Sequence, residues 1–369
     1  MNLSLRSLFL ASSLLASACI QAPTRPTPVD VLAVGNESGS VVAIEVTSST
    51  GRLVYLTDRL DEDQRAALAE VAPNVDFVSG LSQSETLERA AEFHAADAHL
   101  LTPELVERAT SLRWAQSHSA GVERYIAIDE LVENPNLVLT NMKGIHGPVI
   151  AEHVMAMLLS LCRDLPGYQR AQQLGEWDRR AGSGQRALAG STLFVVGMGG
   201  IGTEVARRAH GFDMRVLATV RTPRKAPNYV NEIGIGKDLE RFLPQADVVV
   251  ICLPLTSDTR GLFDAEKLAL MRDDAILVNI ARGAIVDTEA LVAALESNTL
   301  AGAALDVTDP EPLTPGHALW NRDDVIITPH TAGSAALTGK RRDALFTENV
   351  RRFGAGEPLL NVVDKQLGY

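Results

Sequence analysis

Beyond Arg52 the chain alternates between two hydrophobic rhythms. Short apolar runs rich in Val, Ile and Leu recur: RLVYLT from Arg52, VDFV, LRWAQSH, Leu137–Thr140, TLFVV at Thr192–Val196, MRVLATV, ADVVVICLP, DAILVNIA, AGAALDV and VIITPH. Each reads as a strand. Between them Asp61–Val71, PELVERA from Pro103, TEVARR from Thr203 and Asp287–Glu296 read as helices. Asp58 or Asp61 can cap the first of these, and Pro103 suits the opening turn of the second. Strands alternating with helices predict an α/β protein with parallel sheets covered on both faces. Val149–Leu165 is apolar nearly all round and predicts a helix buried on most faces. Val29–Val46 reads as two strands joined by a Gly/Asn/Ser turn and stands outside the alternation.

A length of 369 residues suggests two domains, and 46% hydrophobic with 22% charged residues is ordinary for a globular chain. A core of this size needs no disulfide or metal staple. The formal net charge of −12 argues against a nucleic-acid partner. An anionic substrate must therefore be drawn in by local cations. Three cysteines are too few for a disulfide framework, and Cys162 and Cys252 sit in apolar runs as small core residues. No CxxC or HExxH pattern occurs, and the eight histidines are scattered, so no metal site is expected. His146 and His153 lie close in sequence but fix no metal geometry.

The N-terminus reads as a leader. Arg6 precedes an apolar stretch from Leu8 to Leu15, then Ala16-Ser17-Ala18 and Cys19. The stretch is too short to span a bilayer as a mature helix. It also resembles a bacterial lipobox, with Ala16 where Leu is more usual. Residues 1–28 are expected to be signal peptide and Pro/Thr-rich tether, sending the protein to the cell envelope or periplasm with Cys19 as lipidation site and possible lipid anchor. The alternative is a cytoplasmic protein with a disordered tail.

The chemistry gathers at predicted strand ends, where open α/β sheets bind ligands. Thr192–Val196 turns into Gly197-x-Gly199-x-x-Gly202 and then a helix. Gly197 permits a tight turn, Gly199 a close cofactor approach and Gly202 helix–strand packing, the signature of a dinucleotide loop. Asn279-Ile-Ala-Arg282-Gly283 puts a guanidinium at a strand end, able to grip a carboxylate with two hydrogen bonds. Asp306-Val-Thr-Asp-Pro-Glu311 and Thr328-Pro-His330 follow. A glutamate can hold the tautomer of a histidine and raise its pKa, so Glu311 and His330 form a candidate acid/base pair. Taken singly, Arg282 also reads as a surface ion pair, Glu311 as a loop carboxylate and His330 as a buried structural histidine.

From Arg52 to the C-terminus the chain resembles the D-isomer-specific 2-hydroxyacid dehydrogenases, in the glycine loop, NIARGAIVD (Asn279–Asp287), ALDVTDPEPL (Ala304–Leu313) and ITPHTAG (Ile327–Gly333). The resemblance implies two Rossmann-like or flavodoxin-like domains with a cleft between them. The substrate (catalytic) domain would be 29–143 plus 334–369, and the NAD(P)-binding domain 144–333. It implies that Arg282 binds the substrate carboxylate and 2-oxygen, that His330 exchanges the proton on that oxygen, and that Glu311 pairs with His330. Backbone amides near Ser119, Ala120 and Gly121 would hold the carboxylate from the other domain. Gly200, Ile201, Leu253, Pro254, Thr259, Ala281, Asp306 and Gly333 match cofactor-binding positions, with Asp306 near the nicotinamide amide. His118, Lys143 and His146 lie where substrate side groups could reach, although solvated loop residues are the default reading. The reaction implied is hydride transfer between NADP(H) and C2 of a small 2-oxo or 2-hydroxy acid of glyoxylate or hydroxypyruvate type. A nucleotide-binding regulatory or scaffold protein is the alternative.

The chain departs from the NAD pattern where MRVLATV should end in an acid for the ribose 2′-hydroxyl. Val220 stands there, followed by Arg221, Thr222, Arg224 and Lys225. A guanidinium and a hydroxyl suit a 2′-phosphate, so NADP is expected over NAD. The apolar Val149–Leu165 helix suggests a homodimer, with burial between the two domains as the other option.

Overall fold

The protein is described by a computed structural model covering residues 51–179 and 184–368. The leader, Cys19 and the Val29–Val46 strand pair lie outside the described residues. Two parallel sheets carry the fold.

The first holds β1 (Leu53–Leu56), β2 (Val75–Val78), β3 (Ala95–Asp97), β4 (Trp114–Gln116) and β5 (Val138–Thr140), in the order β2-β1-β3-β4-β5. The second holds β6 (Thr192–Val196), β7 (Arg215–Val220), β8 (Glu232–Ile235), β9 (Val248–Ile251), β10 (Ile276–Asn279), β11 (Gly302–Leu305) and β12 (Val325–Ile327). Its order is β12-β11-β10-β9-β6-β7-β8. The strand order reverses between β1 and β3 in the first sheet and between β6 and β9 in the second. Such switch points leave a crevice at the strand ends.

Local chemistry sets the element ends. Asp61, not Asp58, caps the helix Glu62–Val71. It accepts from the Gln64 amide at 2.8 Å while the Gln64 side chain accepts from the Asp61 amide at 3.2 Å. Asp287 caps Thr288–Glu296 through the Glu289 and Ala290 amides. The helix expected over Val149–Leu165 is present but ends earlier, and a second helix follows it. A helix runs Gly147–Cys162, Asp164 turns left-handed (φ 49°), and a second helix runs Leu165–Gln173. The first packs Ile150, Ala151, Val154, Met155, Met157 and Leu158 into the core of the second sheet, against Leu193, Val195 and the helix Gly200–Gly211. Cys162 is buried there, whereas Cys252 is only half-buried.

Several elements were not read from the pattern, and two of them shape the fold most. One is the edge strand β8. The other is the C-terminal helix Ala336–Ala355, which lays Leu345, Phe346, Val350 and Phe353 on Tyr55 and Trp114 of the first sheet. The chain thus crosses from the first sheet to the second before Gly147 and returns after Gly333. Among the described residues no helix is long and apolar enough to cross a membrane.

Candidate active site

The glycine loop leaves β6 at the switch point of the larger sheet. Gly197 has φ 93°, and a Cβ there would lie 2.7 Å from Leu253 Cδ2 and 3.0 Å from the Cys252 carbonyl. At Gly202 a Cβ would lie 2.5 Å from the Gly197 carbonyl and 2.8 Å from Val195 Cγ1. Gly199 is different: a Cβ there meets nothing within 4 Å. It is the N-cap of Gly200–Gly211, so free amide donors of the first helical turn point past it. Ile201 packs on the core. Thr219 ties the loop down, its carbonyl accepting from the Met198 amide at 2.7 Å and its hydroxyl from the Gly197 amide at 3.2 Å.

Arg282 stands just past the end of β10, where the buried Asn279 shapes the turn. Its side-chain oxygen accepts from the Ala281 amide at 3.1 Å and its Nδ2 donates to the Arg282 carbonyl at 2.9 Å. A Cβ on Gly283 would collide with the Thr308–Asp309 backbone, so only glycine lets the β10 and β11 exits lie this close. Arg282 Nη1 donates to the Ala281 carbonyl at 2.7 Å, and Nε donates to Glu123 Oε1 of the other domain at 2.9 Å. A Cβ on Gly121 would run into Arg282 Nη2. The Ser119–Gly121 loop therefore lies against the arginine. The Ser119 and Ala120 carbonyls accept from the Met142 amide and Asn141 Nδ2, and the Ser119 amide donates to Ser117 Oγ at 3.2 Å.

His330 follows β12, with Nδ1 at 2.7 Å from Glu311 Oε1. Both side chains are nearly half exposed, at 48% and 43%. The histidine is left-handed, φ 54°, a strain of order 1–3 kcal/mol that its surroundings must hold. Asp306 supplies that hold. Its carbonyl accepts from the His330 amide at 2.8 Å, and its buried carboxylate accepts from Thr328 Oγ1 at 2.6 Å and from the Thr331 and Ala332 amides at 2.9 and 3.0 Å. His153 backs the same cluster, 3.0 Å from Thr328 Oγ1. Because β10, β11 and β12 are neighbours, Arg282, Glu311 and His330 leave adjoining strand ends of one sheet.

Other expected residues fall into place with narrower roles. Thr259 Oγ1 donates to the Pro254 carbonyl at 2.7 Å and accepts from the Thr256 amide at 2.8 Å, closing the loop after β9 that also carries Leu253. Arg221 and Thr222 are exposed beyond β7, while Arg224 Nη2 donates to the Met198 carbonyl inside the glycine loop at 2.6 Å. Gly333 abuts the His146 ring, a Cβ there lying 3.0 Å from Cδ2. Burial, then the Arg342 charge, lowers the His146 pKa to about 4. Burial, then the Arg221 charge, lowers that of Lys143. His118 is not free: its Nε2 lies 2.7 Å from the buried Asp97, and its ring packs on Phe346. Burial pushes the Asp97 carboxyl up, but hydrogen bonds from His118, Thr57 and Tyr55 pull it below the usual carboxylate range. Asp58, Asp97 and His99 bring donor atoms within 4.8 Å of one another in the same network. Glu123 was missed by sequence reasoning, and so was the role of His153; each acts through a partner remote in the chain. Asn279 stood in the NIARG motif, but its part in shaping the turn was not read.

A glycine loop at the switch point of a parallel sheet, with a second α/β domain meeting it at Arg282, defines a two-domain dinucleotide-binding protein. The chain belongs to the D-isomer specific 2-hydroxyacid dehydrogenase family. The family model for its NAD binding domain matches residues 155–332. A glyoxylate reductase of Pyrococcus furiosus is 35% identical over 272 residues, 72% of this chain and 79% of the relative. A D-3-phosphoglycerate dehydrogenase of Methanocaldococcus jannaschii is 31% identical over 316 residues, 84% of this chain, which spans only 59% of that longer relative. The corresponding Bacillus subtilis protein is 33% identical and is spanned to 58%. Among solved structures, a family member from Xanthobacter autotrophicus Py2, in complex with NADPH and MES, superposes with TM-score 0.72 at 33% identity. The match covers 86% of this chain and 99% of that one.

Proposed function

We propose that this protein is an oxidoreductase that interconverts a small 2-oxo acid and its 2-hydroxy acid, working with NADP(H). The observation that carries the reading is the convergence of Arg282 and the Glu311–His330 pair on adjoining strand ends of the glycine-loop sheet. Gly197, Gly199 and Gly202 fit a dinucleotide: two are glycine because the fold is tight, and Gly199 keeps its side open at a helix N-terminus. When bound, the nicotinamide supplies or accepts the hydride. Arg282 then holds the acid's carboxylate and steadies negative charge growing on the 2-oxygen. His330 donates the proton to that oxygen during reduction and recovers it in reverse, and Glu311 keeps the proton-bearing nitrogen directed at the substrate. The Ala120 and Gly121 amides reach the carboxylate from the opposite domain.

NADP(H) is supported by Arg221 and Thr222 where an acid would otherwise stand, and by Lys143, whose pKa is lowered first by burial and then by the Arg221 charge. The NADPH complex of the Xanthobacter relative supports it too. A spectrophotometric screen of 2-oxo acids, including glyoxylate and hydroxypyruvate, with NADPH and NADH tests the reading. Reduction favouring NADPH is expected. A folded chain that binds NADPH and reduces none of these acids would instead fit the regulatory alternative.

The proposal includes a homodimer and export. Leu165, Tyr168, Leu174 and Trp177 are exposed on and just after the Leu165–Gln173 helix, which follows the Gly147–Cys162 helix, and support the dimer. A monomeric mass in solution counts against it. The leader pattern ending at Cys19 supports export. Mass spectrometry of the mature N-terminus separates a lipidated Cys19 from an unprocessed Met1.

A further inference from the structure

The C-terminal helix Ala336–Ala355 begins beside the His330 loop, where Thr338 Oγ1 donates to the Gly333 carbonyl at 2.8 Å. Further along, Phe346 packs on His118, the residue just before the Ser119–Gly121 loop. Thr338, Phe346, Asn349 and Phe353 are buried along its inward face. Arg342 lies between Thr338 and Phe346, four residues from each, and residues at that spacing share a helix face. It is half-buried, and its Nε is buried with no hydrogen-bond partner. No ion pair of the described residues includes it. Its neighbour Arg341 is tied to the crossing segment, Nη1 donating to the Ile145 carbonyl at 3.3 Å. The influence of Arg342 on His146 places its charge near that ring, which in turn touches Gly333. Arg342 is thus a partly buried cation whose Nε faces no acceptor, and an anion is what would supply one. Its helix face runs from Thr338, bonded to the His330 loop, to Phe346, packed on the residue before the Ser119–Gly121 loop.

We propose that Arg342 receives a second anionic group of the substrate, so that the acid handled here is a 2-oxo acid with a carboxylate or a phosphate at its far end. The inference rests on the reading above, in which Arg282 and His330 handle the 2-oxo carboxylate end. Arg342 would then set specificity without touching the reacting carbon.

Two 2-hydroxy acids that differ by one carboxylate at the far end, D-malate and D-lactate, provide the test by calorimetry on the cofactor-free full-length protein. The dianionic acid should bind at least about tenfold tighter, the scale of one charge-assisted contact. R342Q should remove most of that margin and R342K should keep part of it. Equal affinities in the parent protein, or a margin that survives R342Q, overturn the proposal; if R342Q does not fold, the parent comparison decides. Steady-state reduction of oxaloacetate and of 3-phosphohydroxypyruvate against glyoxylate then assigns the group. Preference for the first names a carboxylate, preference for the second a phosphate, and preference for neither counts against the site. A chain with the Arg342-dependent margin that reduces none of these acids sinks the oxidoreductase reading and leaves the anion site standing.

Discussion

Two pairs join a nitrogen-bearing side chain to a carboxylate, His330 with Glu311 and Arg282 with Glu123, and they are built in opposite ways. His330 and Glu311 come from the exits of neighbouring strands β12 and β11, and Asp306 locks the histidine loop through two backbone amides and Thr328. Arg282 and Glu123 come from different domains and meet only where the domains touch. The first pair can keep its geometry whatever the domains do. The second is made or broken by their approach. Both arginine and glutamate are about a third or more exposed, at 33% and 43%, so the Arg282–Glu123 pair is weak and an incoming carboxylate can replace Glu123 at small cost. In the proposed function the difference separates a fixed proton-handling unit from a binding unit that exchanges partners.

The largest effect should fall on the fixed pair. His330→Asn removes the proton donor and should lower kcat by about 10²- to 10⁴-fold while NADPH affinity stays within about twofold, measured by steady-state kinetics and fluorescence titration. Turnover near the parent value would end the claim that the β11–β12 pair carries the proton. Next, Arg221→Ala lies outside both pairs and should weaken NADPH by roughly 10- to 150-fold with little change for NADH. Equal loss of both cofactors would remove the 2′-phosphate assignment. The smallest effect should fall on the exchanging pair. Glu123→Gln removes the competitor for Arg282 and should lower KM for the 2-oxo acid by a few-fold with kcat nearly constant, in keeping with the small worth of an exposed ion pair. A large rise in KM would show that Glu123 positions Arg282 for substrate, and the contrast drawn above would fail.

Much of this was legible in the chain. The glycine loop, Arg282, Glu311 and His330 each follow a short apolar run, so pattern and punctuation alone put them beyond strand ends. The C-terminal helix was not read, because its apolar positions Leu345, Phe346, Val350 and Phe353 are diluted by charge. The break at Asp164 falls just inside the expected helix end at Leu165, and the helix beyond it was missed because Leu165–Gln173 is mostly polar. His118 read as a loop residue within reach of substrate; Asp97, from a neighbouring strand, ties it down instead.

The sequence by itself determined the parallel α/β architecture, the nucleotide loop and the identity of the chemical groups, because these depend on local period, turn residues and side-chain chemistry. Only the tertiary structure decided which groups meet. Glu123 reaches Arg282 across the cleft, Asp306 grips the amides after His330, and Arg342 turns inward without a counter-charge. Such contacts depend on strand order and domain approach, which the linear pattern does not encode.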